Sequence, residues 1–139
     1  MATLEIALEI AAAAHAGQID KAGQPYILHP IRVMLSVNSG DERIAAILHD
    51  TVEDTSVTID DLAGAGFSSA VVDAVRALTK SDGESRIEAA LRAVQDPIAR
   101  QVKLADVTDN MDMGRIPSPT DKDYSRLEEY KRVREILLA

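Results

Sequence analysis

His29, the adjacent pair His49-Asp50, and Asp106 are the side chains of this sequence best placed to do chemistry, because imidazole nitrogens and carboxylate oxygens together bind divalent cations. Two nitrogen and two oxygen donors suit Mn²⁺, Fe²⁺ or Zn²⁺ and leave positions open for a water or a phosphate oxygen. The chain has no cysteine, which excludes disulfides, thiol nucleophiles and thiolate zinc knots. Asp50, Glu53 and Asp54 stand at i, i+3 and i+4, one face of a helix. A carboxylate one turn from a bound cation can orient a water or take its proton, so Glu53 and Asp54 are the candidates for general acid-base work. Asp106 and Asn110 repeat the i, i+4 spacing on another segment, which turns the Asn110 amide toward the same cleft, where it can bond a sugar hydroxyl or a phosphate. Lys21 and Tyr26, in the loop before His29, can present an ammonium and a phenol at its mouth.

Helices must hold these groups. Leu4, Ala7, Leu8 and Ala11 follow the helical period up to a stop at Gly17, and His15 continues their stripe as a core histidine with no ligand role. His29-Pro30 opens a second helix that runs toward Asn38-Ser39-Gly40, since proline is tolerated in a first turn. Asp41 is a fair N-cap for a third helix, which buries Ile44, Ala45 and Leu48 and delivers His49 and Asp50 near its end. Neighbouring side chains on a helix diverge, so this pair can share an ion only over the helix terminus. Thr58 with Asp61 and Ser85 with Glu88 read as capping boxes, Val71, Val72, Val75 and Leu78 as a buried stripe, and Asp96-Pro97 as the start of the helix carrying Val102 and Asp106. Pro117 and Pro119 interrupt the pattern before Thr120 and Asp123 begin a charged C-terminal helix at about 120–138. No segment alternates with period two, so the expected fold is all-α, one domain over residues 1–139.

Several residues have plainer readings. Asp60 and Asp61 fit a solvated acidic surface, with Asp61 also serving the cap. Lys103 and the run Lys131, Arg132, Arg134 read as solvated faces, and Tyr124 and Tyr130 as packing residues.

The 139 residues, 46% hydrophobic, carry a net charge of −8. That balance argues against nucleic acid and anionic membrane as partners, but not against a small phosphorylated ligand beside a dication. The acidic first turn is no leader peptide and no apolar run spans a bilayer, so the expectation is a cytoplasmic protein.

Three segments carry a family resemblance: GQPYILHPIRV around His29, AAILHDTVEDT around His49-Asp50, and VKLADVTDNM around Asp106. Together, over roughly residues 4 to 113, the sequence resembles the HD-domain metal-dependent phosphohydrolases, and within them the hydrolase domain of the Rel/SpoT alarmone enzymes and their small stand-alone relatives. The resemblance implies a helical bundle binding Mn²⁺ through His29, His49, Asp50 and Asp106. It implies further that Glu53 and Asp54 activate the water that removes 3′-pyrophosphate from guanosine tetra- or pentaphosphate, with Lys21, Tyr26 and Asn110 at nucleotide-binding positions. Those enzymes commonly carry Arg-Lys-Ser where this chain has Asp20, Lys21 and Ala22, and arginines where it has Val107 and Asp112. Losing cations there weakens the hold on a highly anionic alarmone, and Lys80, Arg86, Arg115 or Arg126 are the residues that could compensate.

The leading expectation is therefore a metal-dependent 3′-pyrophosphohydrolase of guanosine 3′,5′-bis(diphosphate). A phosphomonoesterase for a different nucleotide is the second reading, and a non-catalytic nucleotide-sensing module the third. The segment from Thr120 to Ala139 could close over the site or form a homo-oligomer contact.

Overall fold

A computed structural model describes residues 1–139. The helices are α1 (Leu4–Ala14), α2 (Leu28–Leu35), α3 (Gly40–Leu48), α4 (Thr51–Asp54), α5 (Ile59–Gly64), α6 (Ser69–Leu78), α7 (Arg86–Ala93), α8 (Pro97–Asn110) and α9 (Asp121–Leu138), with a 3₁₀ turn at Met113–Arg115. No strand forms; a single bridge between Ile19 and Pro25 pins the loop from α1 to α2. The fold is all-α.

Helix α3 lies at the centre because the run Ala45, Ala46, Ile47, Leu48 leaves no polar face on its second half. All four are fully buried, and α1, α2, α6 and α8 pack around them. The two alanines let neighbouring helices approach closely, while Ile47 and Leu48 fill the space between, each contributing about 1.5–3 kcal/mol of burial. From α6, Val71, Val72, Val75 and Leu78 face this core as their spacing predicts.

The termini follow local chemistry. Thr58 and Asp61, Ser85 and Glu88, and Thr120 and Asp123 form reciprocal capping boxes, and Asp96 caps α8 ahead of Pro97. Beyond α1, Gly17 takes a φ of 84°, the left-handed conformation that turns the chain away. One cap differs from expectation: Ser39, not Asp41, caps α3. Ser39 has Glu42 three residues later, so two backbone donors are satisfied reciprocally, while Asp41 sits inside the first turn, where its charge still favours the helix N-terminus.

A smaller cluster of Ala90, Val107, Val133 and Leu137 seats α9 on α7 and α8. Val107 is thus a packing residue, which accounts for an apolar side chain there. Tyr130 joins this cluster, but Tyr124 is 53% exposed and packs little, because it falls on the outer face of α9. Lys131, paired with Glu128, and Arg132 and Arg134 are exposed, as are Asp60 and Asp61. No helix is long and apolar enough to cross a membrane.

Candidate metal centre

The break between α3 and α4 builds the centre. The helix stops at Leu48, two residues turn, and α4 restarts at Thr51, whose hydroxyl donates to the Leu48 carbonyl at 2.8 Å and satisfies an acceptor freed by the break. That turn brings the diverging His49 and Asp50 side chains back over one point: His49 Nε2 lies 3.1 Å from Asp50 Oδ2 and 3.4 Å from Asp106 Oδ1. His29, in the first turn of α2, adds its Nε2 at 2.9 Å from Asp106 Oδ1 and 3.8 Å from Asp50 Oδ2. All four residues expected to converge do so, and His29, His49 and Asp106 are buried.

The arrangement fits a cation. His49 Nδ1 donates to the Ala46 carbonyl at 2.5 Å, which in a neutral ring leaves the Nε2 lone pair facing carboxylate lone pairs. Nε2 is fully buried and has no hydrogen-bond partner. Lone pairs converge in that way only around a proton or a metal ion. Without a metal the proton is the answer: burial pushes His29 down, yet bonds with Asp106 and Asp109 outweigh it and hold the ring up at about 9. His49 is also held above the ordinary histidine value, against its burial, by Asp50 and Asp106.

Two residues around the centre escaped the sequence reading. Asp109 accepts from His29 Nδ1 at 2.6 Å and from Arg32 Nε at 2.8 Å, so it orients the His29 ring. Its position, one turn after Asp106, is the signal that could have found it. Lys103 corrects an expectation: it is not on a solvated face but reaches Asp106 Oδ2 at 3.0 Å, because its place one turn before Asp106 turns it toward the carboxylate. Burial would raise the Asp106 pKa, but Lys103 and the two histidines drive it well below the usual carboxylate range.

Glu53 and Asp54 stand beside Asp50 on α4. Glu53 Oε1 accepts from the Lys80 backbone N–H at 2.7 Å. Burial, with Asp50 and Glu53 nearby, lifts Asp54 to about 6. Tyr26 donates its hydroxyl to Asp50 Oδ2, and its own ionisation is suppressed by burial and by that carboxylate. Asn110 Nδ2 donates to Asp106 Oδ1 at 3.3 Å, leaving its oxygen free. Lys21 stands away from the centre, 3.1 Å from Asp123 on α9. His15 is a core residue, bonded through Nδ1 to Gln18 at 2.9 Å.

Two cavities meet at Tyr26, His29, Asn110 and Tyr130. The first, about 330 Å³, is walled by the loop after α1, the 3₁₀ turn and α9. The second, about 260 Å³, holds Asp50, Glu53, Asp54 and Asp106 together with Lys80, Arg86 and Lys103. Lys80 and Arg86 line the second cavity, and Arg115 and Arg126 line the first, where each is paired with an aspartate.

Residues 7–126 match the HD-domain family. The chain belongs to that family. Membership implies divalent-metal binding, and the His/Asp cluster supplies the residues that could hold the ion. This HD domain is 40% identical over 117 residues to a Vibrio cholerae protein named guanosine-3′,5′-bis(diphosphate) 3′-pyrophosphohydrolase, an alignment covering 73% of this chain and 16% of that one. It is 37% identical over 123 residues to a Mus musculus protein of the same activity name, covering 80% of this chain and 68% of the relative. Among solved structures it resembles a metazoan ortholog of SpoT described as hydrolysing ppGpp, with a TM-score of 0.80, 25% identity and coverage of 99% of this chain and 86% of the other. The HD domain spans about a sixth of the length of the long bacterial relatives, 16% and 17% for two of them.

Proposed function

We propose that residues 1–139 act as one hydrolase domain that removes pyrophosphate from the 3′ position of guanosine 3′,5′-bis(diphosphate), with Mn²⁺ held by His29, His49, Asp50 and Asp106. The observation that carries this is the second cavity, where two catalytic-type carboxylates and three cations share a wall with the His/Asp centre. A dication held there supplies Lewis-acid polarisation of a phosphoryl oxygen and offsets the charge of the transferred group.

The protein's own groups do the rest. Glu53 has one oxygen fixed by the Lys80 N–H and the other available to take a proton from the attacking water. Asp54, next to Glu53 on the same wall, is placed to return a proton to the departing 3′ oxygen. The water oxygen bonds to phosphorus as the 3′ O–P bond breaks, releasing pyrophosphate and a 3′-hydroxyl. Lys80 and Arg86 supply positive charge where pyrophosphate departs, and Arg86 is held over the Tyr130 ring at 5.2 Å. Asn110 and Tyr26 line the junction through which the nucleotide is threaded.

The test is turnover of guanosine tetraphosphate by chelated protein reconstituted with Mn²⁺, resolving pyrophosphate from orthophosphate. Mn²⁺-dependent pyrophosphate release that disappears in Asp106→Ala supports the reading. Orthophosphate release selects a phosphomonoesterase, and stoichiometric metal with no turnover of any nucleotide selects a sensor.

Arg92 adds a positioning role from behind that wall. Its guanidinium donates to the carbonyls of Ala77 at 2.9 Å and Thr79 at 2.7 Å, and grips Glu84 through Nε and Nη2. This ties down the loop after α6 whose Lys80 N–H meets Glu53. Arg92→Ala is expected to lower kcat about ten- to a hundredfold by letting that loop shift. Steady-state kinetics checks it: KM should move less than kcat, and Arg92→Lys, lacking the planar fork, should restore little.

A further inference from the structure

The first cavity holds as many carboxylates as cations, and its cations are all engaged. Its four basic residues, Lys21, Arg32, Arg115 and Arg126, face four aspartates, and none of the four is free of a carboxylate partner. Arg32 is committed to Asp109 at 2.8 Å and Arg115 to Asp112 at 2.9 Å, while Asp123 takes both Lys21 at 3.1 Å and Arg126 at 3.7 Å.

These aspartates cannot swing aside for an incoming anion, because each is also fixed by the fold. Asp20 accepts from the backbone N–H groups of Ala22 and Gln24, both at 2.9 Å, and shapes the loop after α1. Asp112 caps the 3₁₀ turn through Gly114 N at 2.9 Å. The other oxygen of Asp123 belongs to the capping box of α9, accepting from Thr120 N at 2.9 Å. Asp109 is bound to His29. Negative charge is therefore built into the cavity by the same bonds that shape it. Around it lie Tyr26, Met113, Ile116, Leu127 and Tyr130, an apolar lining suited to a base and a ribose. Across the junction the second cavity differs in part: Lys103 pairs with Asp106 inside it at 3.0 Å, but Lys80 has no carboxylate within salt-bridge distance, and the partner of Arg86, Glu129, lies outside that cavity.

We propose that the first cavity receives the nucleoside and disfavours phosphates on its 5′ side, so that this domain selects 3′-pyrophosphorylated nucleotides with few or no 5′ phosphates over 5′-polyphosphorylated ones. The inference rests on the 3′-pyrophosphohydrolase reading and refines its substrate class: the 3′,5′-bis(diphosphate) is accepted, but a less 5′-charged analogue is accepted better. The cost arises because each added 5′ phosphate meets carboxylates that cannot leave and cations that are already neutralised.

The experiment compares kcat/KM of the Mn²⁺-loaded chain on guanosine 3′-diphosphates bearing a 5′-hydroxyl, monophosphate, diphosphate or triphosphate. The expected order falls with 5′ charge, by about tenfold or more from hydroxyl to diphosphate. Asp123→Asn, which keeps an acceptor for the α9 cap and frees Lys21 and Arg126, should narrow that ratio several-fold, chiefly through KM. A ratio at or below one, or a ratio unmoved by Asp123→Asn, overturns the proposal. If no 3′-diphosphate is hydrolysed the activity reading fails, and equilibrium binding of the same four nucleotides then decides this one. Tightest binding of the 5′-hydroxyl form sustains it, and affinity rising with 5′ phosphates ends it.

Discussion

Glu53→Gln is expected to keep the metal and lose turnover by about 10²- to 10⁴-fold, the usual contribution of a positioned acid-base group. The separation of the two readouts follows from geometry. Glu53, on α4 three residues after Asp50, clusters with Asp50 and Asp54 rather than with His29, His49 and Asp106, so its amide replacement leaves the convergence of that second set intact. The amide oxygen can still accept from the Lys80 N–H, which preserves the loop as well. What is lost is the oxygen that takes the proton. Metal content by elemental analysis, beside single-turnover kinetics, checks both halves; turnover within a few-fold of the parent would remove Glu53 from the mechanism.

The second large effect concerns protons and metal competing for the same histidines. Without metal, His29 titrates at about 9 against an ordinary value of 6.5, so its protonated ring stabilises the fold fully below about pH 6.5 and loses that contribution as pH rises through about 9. His49, raised in the same direction, adds to the trend. Deprotonated, the rings face Asp50 and Asp106 with nothing between them, and the chelated protein should lose on the order of a few kcal/mol across that window. A bound divalent cation reverses the sign, because it requires neutral imidazoles and gains affinity as protons leave. Metal at about a thousandfold above its Kd should stabilise the fold by about 4 kcal/mol, a rise in Tm on the order of 10 °C. Thermal unfolding of chelated and Mn²⁺-loaded protein from pH 6.5 to 9 tests this. The gap between the two curves should widen with pH, and a constant gap would show that these histidines do not exchange protons for metal.

Much of this architecture was legible in the sequence because it depends on neighbours along the chain. Capping pairs three residues apart, such as Thr58-Asp61 and Ser85-Glu88, and the stripe Val71, Val72, Val75, Leu78 are local patterns with local causes, and the structure holds them where their spacing puts them. The convergence of His29, His49, Asp50 and Asp106 was legible for a different reason: donor chemistry narrows the choice, since few other residue types could do that work. Asp109, Lys103 and Arg92 were missed. Each lies on a partly polar helix face, where a charged residue is ordinarily solvated; the i, i+3 spacing of Lys103 and Asp109 to Asp106 was a local signal left unread, whereas the partners of Asp109 and Arg92 depend on packing. Asp109 meets His29 across 80 positions of sequence, and Arg92 reaches carbonyls 13 to 16 positions back. The Asp41 expectation failed on a finer point: two capable capping residues lay within three positions, and the one with a glutamate partner prevailed.

Helix α9 is attached by the small cluster around Val133 and Leu137, whereas the His/Asp centre hangs on the larger core around α3. The outer wall of the first cavity and the reactive groups therefore belong to two separately packed bodies, joined mainly through α8. Evolution or an engineer can rewrite residues 123 to 127 to admit a different molecule while the chemistry stays in place, and the same separation lets α9 loosen without dismantling the His/Asp centre.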